Sequence, residues 1–328
     1  MSAKPTSDAD WMAAAARLAA RARPISRPNP GVACLVVKHS RVLSAGSTRK
    51  GGRPHAEADA LSRLEPGGAK GATIYVTLEP CAHQSERGPA CSDLLSAAGP
   101  ARVVIGQRDP DPRTAGKGIA KLEEAGIAVS LLDDEASLRS LAGFLTSQTK
   151  GRPYVTLKLA QSLDGCIALA DGTSQWITGG AARAHCHAMR ARNDAILVGG
   201  GTWRADSPRL NVRLPGLKDR SPDRVILTRG VQPDGARVLN TPEQIANLEG
   251  VLHLYIEGGA ATAASFLKAD FVDELHLYQA PIVIGGDGLS SLGALGLTDL
   301  AETHGRWALS ETRLLGSDRF TAYLRTRN

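Results

Sequence analysis

Apolar residues in the first half of the chain fall into short clusters separated by glycine, proline and polar turns. Between Asp8 and Arg23 they recur at helical spacing, with Met12, Ala15, Leu18 and Ala19 on one stripe and Asp8 placed as the cap. The proline-rich stretch Pro24–Pro30 ends that helix. Val32–Val37 is a continuous apolar run of strand length, and Arg41–Ala45 follows a turn as a second strand. A helix is predicted from about His55 through Leu64. Thr73–Thr77, β-branched and aromatic, is predicted as a strand. Helices are expected over Cys91–Ala98, Lys117–Ala125 and Ser137–Lys150, with strands at Arg102–Ile105 and Ile127–Leu131.

Gly151–Pro153 marks a boundary, after which the alternation restarts. Tyr154–Leu159, Ala195–Val198, Arg224–Thr228, Leu252–Ile256 and Glu274–Ala280 are predicted strands; Ala181–Arg192 and Ala261–Leu267 are predicted helices. Pro242–Leu248 has a short helical pattern. Strand and helix in alternation, twice over, predict two α/β domains built on parallel or mixed sheets. Their expected bounds are 1–148 and 149–328.

Composition sharpens this. A chain of 328 residues is long enough for two cores. It is 42% hydrophobic and 22% charged but only 4% aromatic, with 35 glycines, which favours Ala/Val/Leu-packed α/β layers over a β-sandwich. The net charge of +6 is scattered along the chain. It suits phosphorylated small molecules and disfavours nucleic acid. Met1–Asp10 has no apolar signal core and no run approaches a membrane span, so a cytoplasmic protein without a membrane partner is expected. Five cysteines (Cys34, Cys81, Cys91, Cys166, Cys186) form no regular framework; some are expected as metal ligands and the rest as small buried residues.

The chemistry concentrates at His55-Ala56-Glu57, Pro80-Cys81 and Cys91. A zinc deaminase needs three neutral or thiolate ligands, an open fourth position, and a carboxylate that is not a ligand. His55, Cys81 and Cys91 supply the ligands, and Glu57 the carboxylate that takes a proton from water and passes it to the departing amine. A lone His-x-Glu means little. The combination of a helix start, a strand end and a second cysteine opening another helix is what carries the reading. A purely structural zinc site is the rival; three ligands plus Glu57 fit catalysis better.

Asn29-Pro30, His55-Ala56-Glu57 and Thr77-Leu78-Glu79-Pro80-Cys81, followed by Asp109-Pro110-Asp111-Pro112 and Gly116-Lys117-Gly118, resemble the N-terminal half of the bifunctional riboflavin-biosynthesis deaminase/reductases. The resemblance continues through Pro153–Gly165, Ser174–Thr178, Asp194–Gly199, Thr202, Asp206–Leu210 and Glu257–Gly259. It implies a cytidine-deaminase-like three-layer domain followed by a dihydrofolate-reductase-like α/β domain. The first would hydrolyse the 2-amino group of a diaminopyrimidinone bearing a ribosylamino 5′-phosphate; the second would use NADPH to reduce the ribosyl group to ribityl. It also implies zinc, a homo-oligomer (dimer or tetramer), and pyrimidine contacts from Asn29. Arg87 keeps a positive charge where the family has one. In the second half it implies substrate contacts from Ser174, Arg190, Leu210, Arg213 and Glu257. The cofactor would be lined by Ala160, Trp176, Thr202, Asp206, Gly259, Ala260, Ala261, Thr262, Ala263, Ala264 and Ser265.

Four departures stand out. The Cys81–Cys91 loop is one residue longer than is usual in the family, Thr48 replaces a histidine, Cys166 stands where a basic residue is usual, and the segment from about 229 to 252 is short. Rival readings are a deaminase whose second domain has lost reduction, a nucleic-acid-editing deaminase, and a zinc-stabilised binding protein. The Gly-rich turns Gly199–Gly201 and Glu257–Gly259, each at a strand end, favour a nucleotide site in the second domain. Lys158 and Asp164 are candidates for supplying the proton of the reduction.

Overall fold

The computed structural model describes residues 6–83, 88–230 and 235–327. The chain divides into two compact units, Met1–Gly151 and Arg152–Asn328.

In the first unit α1 (Asp8–Ala22) leads into β1 (Ala33–Lys38), β2 (Arg41–Ser47), α2 (Ala56–Leu61) and β3 (Thr73–Leu78). Then come α3 (Cys91–Ala98), β4 (Arg102–Gln107), α4 (Lys117–Glu124), β5 (Ala128–Leu131), α5 (Glu135–Ser140) and α6 (Ala142–Lys150). The five strands lie in the order β2-β1-β3-β4-β5, antiparallel across β1 and parallel from β3 to β5. Both faces of β1 are covered, which is why it reads as one apolar run. Ala33, Leu35 and Val37 point to one side, against Met12, Ala15 and Ala19 of α1. Cys34 and Val36 point to the other, into a core shared with Ala56, Ala60, Leu95 and Leu122 of α2, α3 and α4. The unit is thus a three-layer sandwich.

Two expectations need correction. The cap of α1 is Ser7, not Asp8: the Ser7 hydroxyl accepts from the Asp10 N–H while the Asp10 carboxylate accepts from the Ser7 N–H. Asp8 is instead inside the helix, where it pairs with Arg102 and accepts from the Tyr75 hydroxyl. The expected helix 137–150 is two helices. The chain breaks at Leu141, whose side chain is driven into the core, and α5 is drawn onto the sheet at Gly106, where a Cβ would sit 2.2 Å from Ser137 Oγ.

The second unit runs β6 (Tyr154–Gln161), β7 (Cys166–Ala168), α7 (Gly180–Arg190), β8 (Ala195–Gly199), α8 (Gly200–Asp206), β9 (Asp223–Leu227) and β10 (Arg237–Leu239). It continues with β11 (His253–Ile256), α9 (Ala260–Lys268), β12 (Glu274–Gln279), β13 (Leu289–Ser290), β14 (Trp307–Leu315) and β15 (Asp318–Arg325). Eight strands form one sheet in the order β10-β9-β8-β11-β6-β12-β15-β14, parallel from β10 to β12 and antiparallel beyond. Ala263 and Phe266 of α9 pack on one face; Ala182 and Cys186 of α7 pack on the other. The buried pair Arg152–Asp273 (2.6 Å) ties the start of β6 to the start of β12. Between β9 and β11 the described chain holds only the three-residue β10 and a 3-10 turn over Pro242–Asn247, the short connection expected there. No helix among the described residues is long and apolar enough to cross a membrane.

A candidate metal centre and a second cavity

Three element ends meet in the first unit. His55 is the N-cap of α2, Cys91 opens α3, and Cys81 lies just beyond β3. Their ligand atoms all lie within 4.8 Å of one another. His55 Nδ1 is 3.3 Å from Cys91 Sγ and 3.6 Å from Cys81 Sγ, and the Cys91 N–H donates to Cys81 Sγ at 3.3 Å. The Cys91 thiol facing Cys81, followed by His55, holds Cys81 well below the ordinary thiol range; Cys91, sharing that proton, is pushed up. One nitrogen and two sulfurs converging in a buried corner is a donor set that suits zinc, with three ligands leaving a fourth position open.

Glu57 is in the first turn of α2 and only 3% exposed. Burial lifts its carboxyl above the usual range, and His55 partly opposes that. A carboxylate with a raised affinity for protons, one residue removed from a ligand, is suited to taking and giving back a proton.

The strand-end turn that carries Cys81 is held by a residue the sequence reading did not single out. The Glu79 carboxylate, 2% exposed, accepts backbone N–H groups from Asp109, Gly116, Gly118 and Ile119 at 3.1–3.3 Å. Gly118 is needed because a Cβ there would sit 2.1 Å from the Pro80 carbonyl oxygen. The motifs Asp109–Pro112 and Gly116–Gly118 are therefore the floor beneath Pro80-Cys81. The signal was in the sequence, as a glutamate inside an otherwise apolar strand end.

Asn29 lies against Gly52: a Cβ on Gly52, at φ +86°, would overlap the Asn29 amide. Thr48 is buried, and its hydroxyl accepts from the Val32 N–H at 3.0 Å, so it serves the β1–β2 junction. Arg87 lies outside the described residues.

The second unit has a cavity of about 570 Å³ at the carboxyl ends of β6, β8 and β11. Its walls include Ala160, Ser174, Trp176, Arg190, Thr202, Asp206, Leu210, Arg213, Glu257 and Gly259. Glu257, at the end of β11, is gripped by Arg190 from the end of α7 through two bonds of 2.6 and 2.9 Å. The Cys186 thiol donates to it at 3.6 Å, and Lys158 Nζ stands 3.9 Å away. Burial alone would raise the Glu257 carboxyl, but Arg190 wins and holds it at about 2. Arg190 is committed to Glu257 and the Asn211 carbonyl, whereas Arg213 is exposed and donates to His187 Nε2 at 3.2 Å. His187 also lines the cavity, and no sequence motif pointed to it.

Trp176 is 63% exposed beneath the Arg183 guanidinium (4.7 Å), on the cavity wall and not in a core. Of the run 259–265 only Gly259 reaches the cavity wall. Ala260 and Ala261 start α9, Thr262, Ala263 and Ala264 are buried against the sheet, and Ser265 bonds back to Thr262. A Cβ on Gly199 or on Gly258 would collide with Thr262, at 2.2 and 2.6 Å, so the backbone at both turns is bare by necessity. Bare turns facing the first amides of a nine-residue helix make a cradle for phosphate oxygens. Asp164 is fully exposed and its carboxylate accepts from Ser162 and the amides of Ile284 and Gly285, away from the cavity wall; Lys158 is on it.

Comparison with known proteins finds a family model in each half of the chain. Residues 5–107 match the family model for the cytidine and deoxycytidylate deaminase zinc-binding region, and residues 153–319 match the RibD C-terminal domain. The riboflavin biosynthesis protein RibD of Escherichia coli is 37% identical, covering 95% of this chain and 97% of its own. That alignment runs over 361 positions, more than the 328 residues of this chain, as a shortened member requires. RibD of Aquifex aeolicus is 38% identical over 90% of this chain and 92% of its own. Among solved structures, RibD of Acinetobacter baumannii superposes with a TM-score of 0.86 at 34% identity, covering 98% of this chain and 99% of that one. A diaminohydroxyphosphoribosylaminopyrimidine deaminase/5-amino-6-(5-phosphoribosylamino)uracil reductase from Thermotoga maritima gives 0.85 at 30% identity, with 97% and 99% covered. The chain belongs to the RibD family of riboflavin biosynthesis, two-domain enzymes that join a zinc-binding deaminase to a reductase.

Proposed function

We propose that the first unit deaminates a diaminopyrimidinone carrying a ribosylamino 5′-phosphate and that the second reduces the ribosyl group of the product to ribityl. The observation that carries the first step is the buried Glu57 beside His55, Cys81 and Cys91. These three side chains would hold zinc, which when bound is a Lewis acid that activates water near neutral pH. Glu57 takes a proton from that water and delivers it to the amine that leaves as ammonia, with its burial keeping the proton from solvent. Asn29 would face the pyrimidine, and Arg87 the substrate's charged side.

In the second unit NADPH, when bound, supplies the hydride. The chain's part is to hold substrate and cofactor together. Arg213, an exposed cation of the cavity like Arg209, suits the substrate phosphate, and Ser174 and the Leu210 backbone its sugar. Glu257 is kept ionised by Arg190 next to Lys158, so the ammonium group is the proton source of that wall. Ala160, Trp176, Thr202, Asp206 and Gly259 would border the cofactor, with the first turn of α9 receiving its diphosphate. Residues 1–148 and 149–328 are read as the deaminase and reductase domains. None of the five cysteines is in a disulfide, and two of them, Cys81 and Cys91, are assigned to the metal; a cytoplasmic location fits that cysteine usage. Leu309 and Leu314, exposed on the edge strand β14, are in keeping with a homo-oligomer.

Glu57→Gln tests the assignment at its centre. Ammonia release from the diamino substrate should fall by at least ~10²-fold while bound zinc stays at one per deaminase domain. An unchanged rate would refute the role given to Glu57.

A further inference from the structure

Helix α7 starts without a cap of its own. Its N-cap is Gly179, which has no side chain to offer, and no acidic residue stands in its first turn. The acceptor comes instead from a residue 139 positions further along the chain. Asp318, the first residue of β15 and 2% exposed, accepts from the Gly179 N–H through Oδ2 at 2.6 Å. The carbonyl of the same peptide unit, that of Thr178, accepts from Arg183 Nη1 one turn into α7. The Thr178–Gly179 peptide is thus gripped at both ends, by an acid from β15 and a base from α7. No other side chain among the described residues bonds the backbone of residues 174–179.

Asp318 is itself held in place. It follows the turn Gly316-Ser317, where a Cβ on Gly316 would lie 3.7 Å from Ala181 Cβ, so the hairpin tip rests on the first turn of α7. Two residues further on, the Phe320 ring packs on His185 of the same helix, with ring centres 4.7 Å apart. The segment that Asp318 pins, Ser174–Thr178, is a wall of the cavity, and Asp318 is not among the residues that line it. Ser174 and Trp176 stand on this wall, and Trp176 lies beneath Arg183, the residue that also takes the Thr178 carbonyl. A displacement of the gripped peptide therefore moves the side chains read as facing sugar and cofactor without removing either of them.

We propose that Asp318 is a positioning residue for the reduction: from outside the cavity it fixes the Thr178–Gly179 peptide, and through it the wall that carries Ser174 and Trp176. The inference rests on the reading of the second unit as a reductase and gives the hairpin β14–β15 a part in its geometry. Asp318 accepts one hydrogen bond and transfers nothing. Its effect on rate is that of alignment, and a misplacement of ~1 Å between reacting groups can cost ~10²-fold. What the site needs from this position is an oxygen acceptor of the right reach, so asparagine can replace the carboxylate and a shorter side chain cannot.

The test uses the full-length protein and its variants Asp318→Ala, Asp318→Ser and Asp318→Asn. Reduction of 5-amino-6-(5-phosphoribosylamino)uracil is followed by NADPH absorbance. The wall is followed by fluorine NMR of 5-fluorotryptophan-labelled protein, whose Trp176 line is assigned with Trp176→Phe. Asp318→Ala and Asp318→Ser should lower kcat/KM of the reduction about tenfold or more, with ammonia release by the first unit unchanged. In both, the Trp176 line should shift or broaden while those of Trp11 and Trp203 stay. Asp318→Asn should keep kcat/KM within about threefold of the wild type and the Trp176 line in place, since a neutral acceptor remains. If the alanine variant does not fold, the serine variant carries the test. Wild-type kcat/KM and an unmoved Trp176 line in the alanine or serine variant would overturn the proposal, as would a loss in Asp318→Asn as large as theirs. A wild type that oxidises no NADPH would overturn the reductase reading, and the Trp176 line would still decide whether Asp318 holds the wall.

Discussion

Gly118 touches neither metal nor substrate, yet it decides where Cys81 can stand. With a Cβ only 2.1 Å from the Pro80 carbonyl, Gly118→Ala must push the Pro80-Cys81 turn off its floor or break the amide contacts to Glu79. We expect zinc affinity to fall by about 10- to 100-fold, the range seen when a ligand's support is disturbed. Competition with a chromophoric chelator measures it directly, and wild-type affinity in the variant would show that the turn tolerates the shift. The ligands themselves were legible in the sequence because few other residue types hold zinc. The supporting contacts were not, since Glu79 and Gly118 are far apart in sequence and become neighbours only when β3 and the start of α4 meet. Arg190 makes the same point: its match to the family implied a substrate contact, and only the fold reveals that Glu257 occupies its guanidinium.

At the scale of elements, α7 is the hinge between packing and chemistry in the second unit. One side of it presents Arg190 to the cavity. The other buries His185 against Phe320, ring centres 4.7 Å apart, with Nδ1 2.9 Å from the Tyr278 hydroxyl. Burial, and then the charges of Arg313 and His276, push His185 down to about 4. The unfolded chain protonates this imidazole near its ordinary value of about 6.5, before the folded chain does. Stability is therefore complete above about 6.5 and is lost as pH falls from there toward 4. Denaturant midpoints at pH 7.5 and pH 5 should drop in the wild type, and His185→Phe should shrink that drop. An identical drop in the variant would remove His185 as its source. Elements with strong apolar periodicity, such as β1, β3, β8 and α9, were readable to within a residue or two. The hairpin β14–β15 was not, because most of β14 is exposed and its sequence does not alternate cleanly. Its one local cue is the two-residue turn Gly316-Ser317, with Gly316 at φ +69°.

For the molecule as a whole, two kinds of site are built by the same device. In each unit the functional side chains stand at the carboxyl ends of parallel strands, where the chain turns into a helix and backbone amides are free. The first unit uses such ends for thiolates and an imidazole, the second for a nucleotide cradle and an ion-paired glutamate. Two activities in succession were legible because each half has its own motifs. The shortened 229–252 segment left open whether the second half still works, and the cavity with its bare turns at Gly199 and Gly258 argues that it does.

The direct test is a single reaction mixture of purified protein, zinc, NADPH and the diaminopyrimidinone ribosylamino 5′-phosphate, followed for ammonia and for NADPH absorbance together. The account predicts one ammonia released for each NADPH oxidised, with ammonia appearing first. Ammonia without NADPH oxidation would contradict the two-step assignment and leave a deaminase alone; no ammonia from the zinc-loaded protein would contradict its foundation.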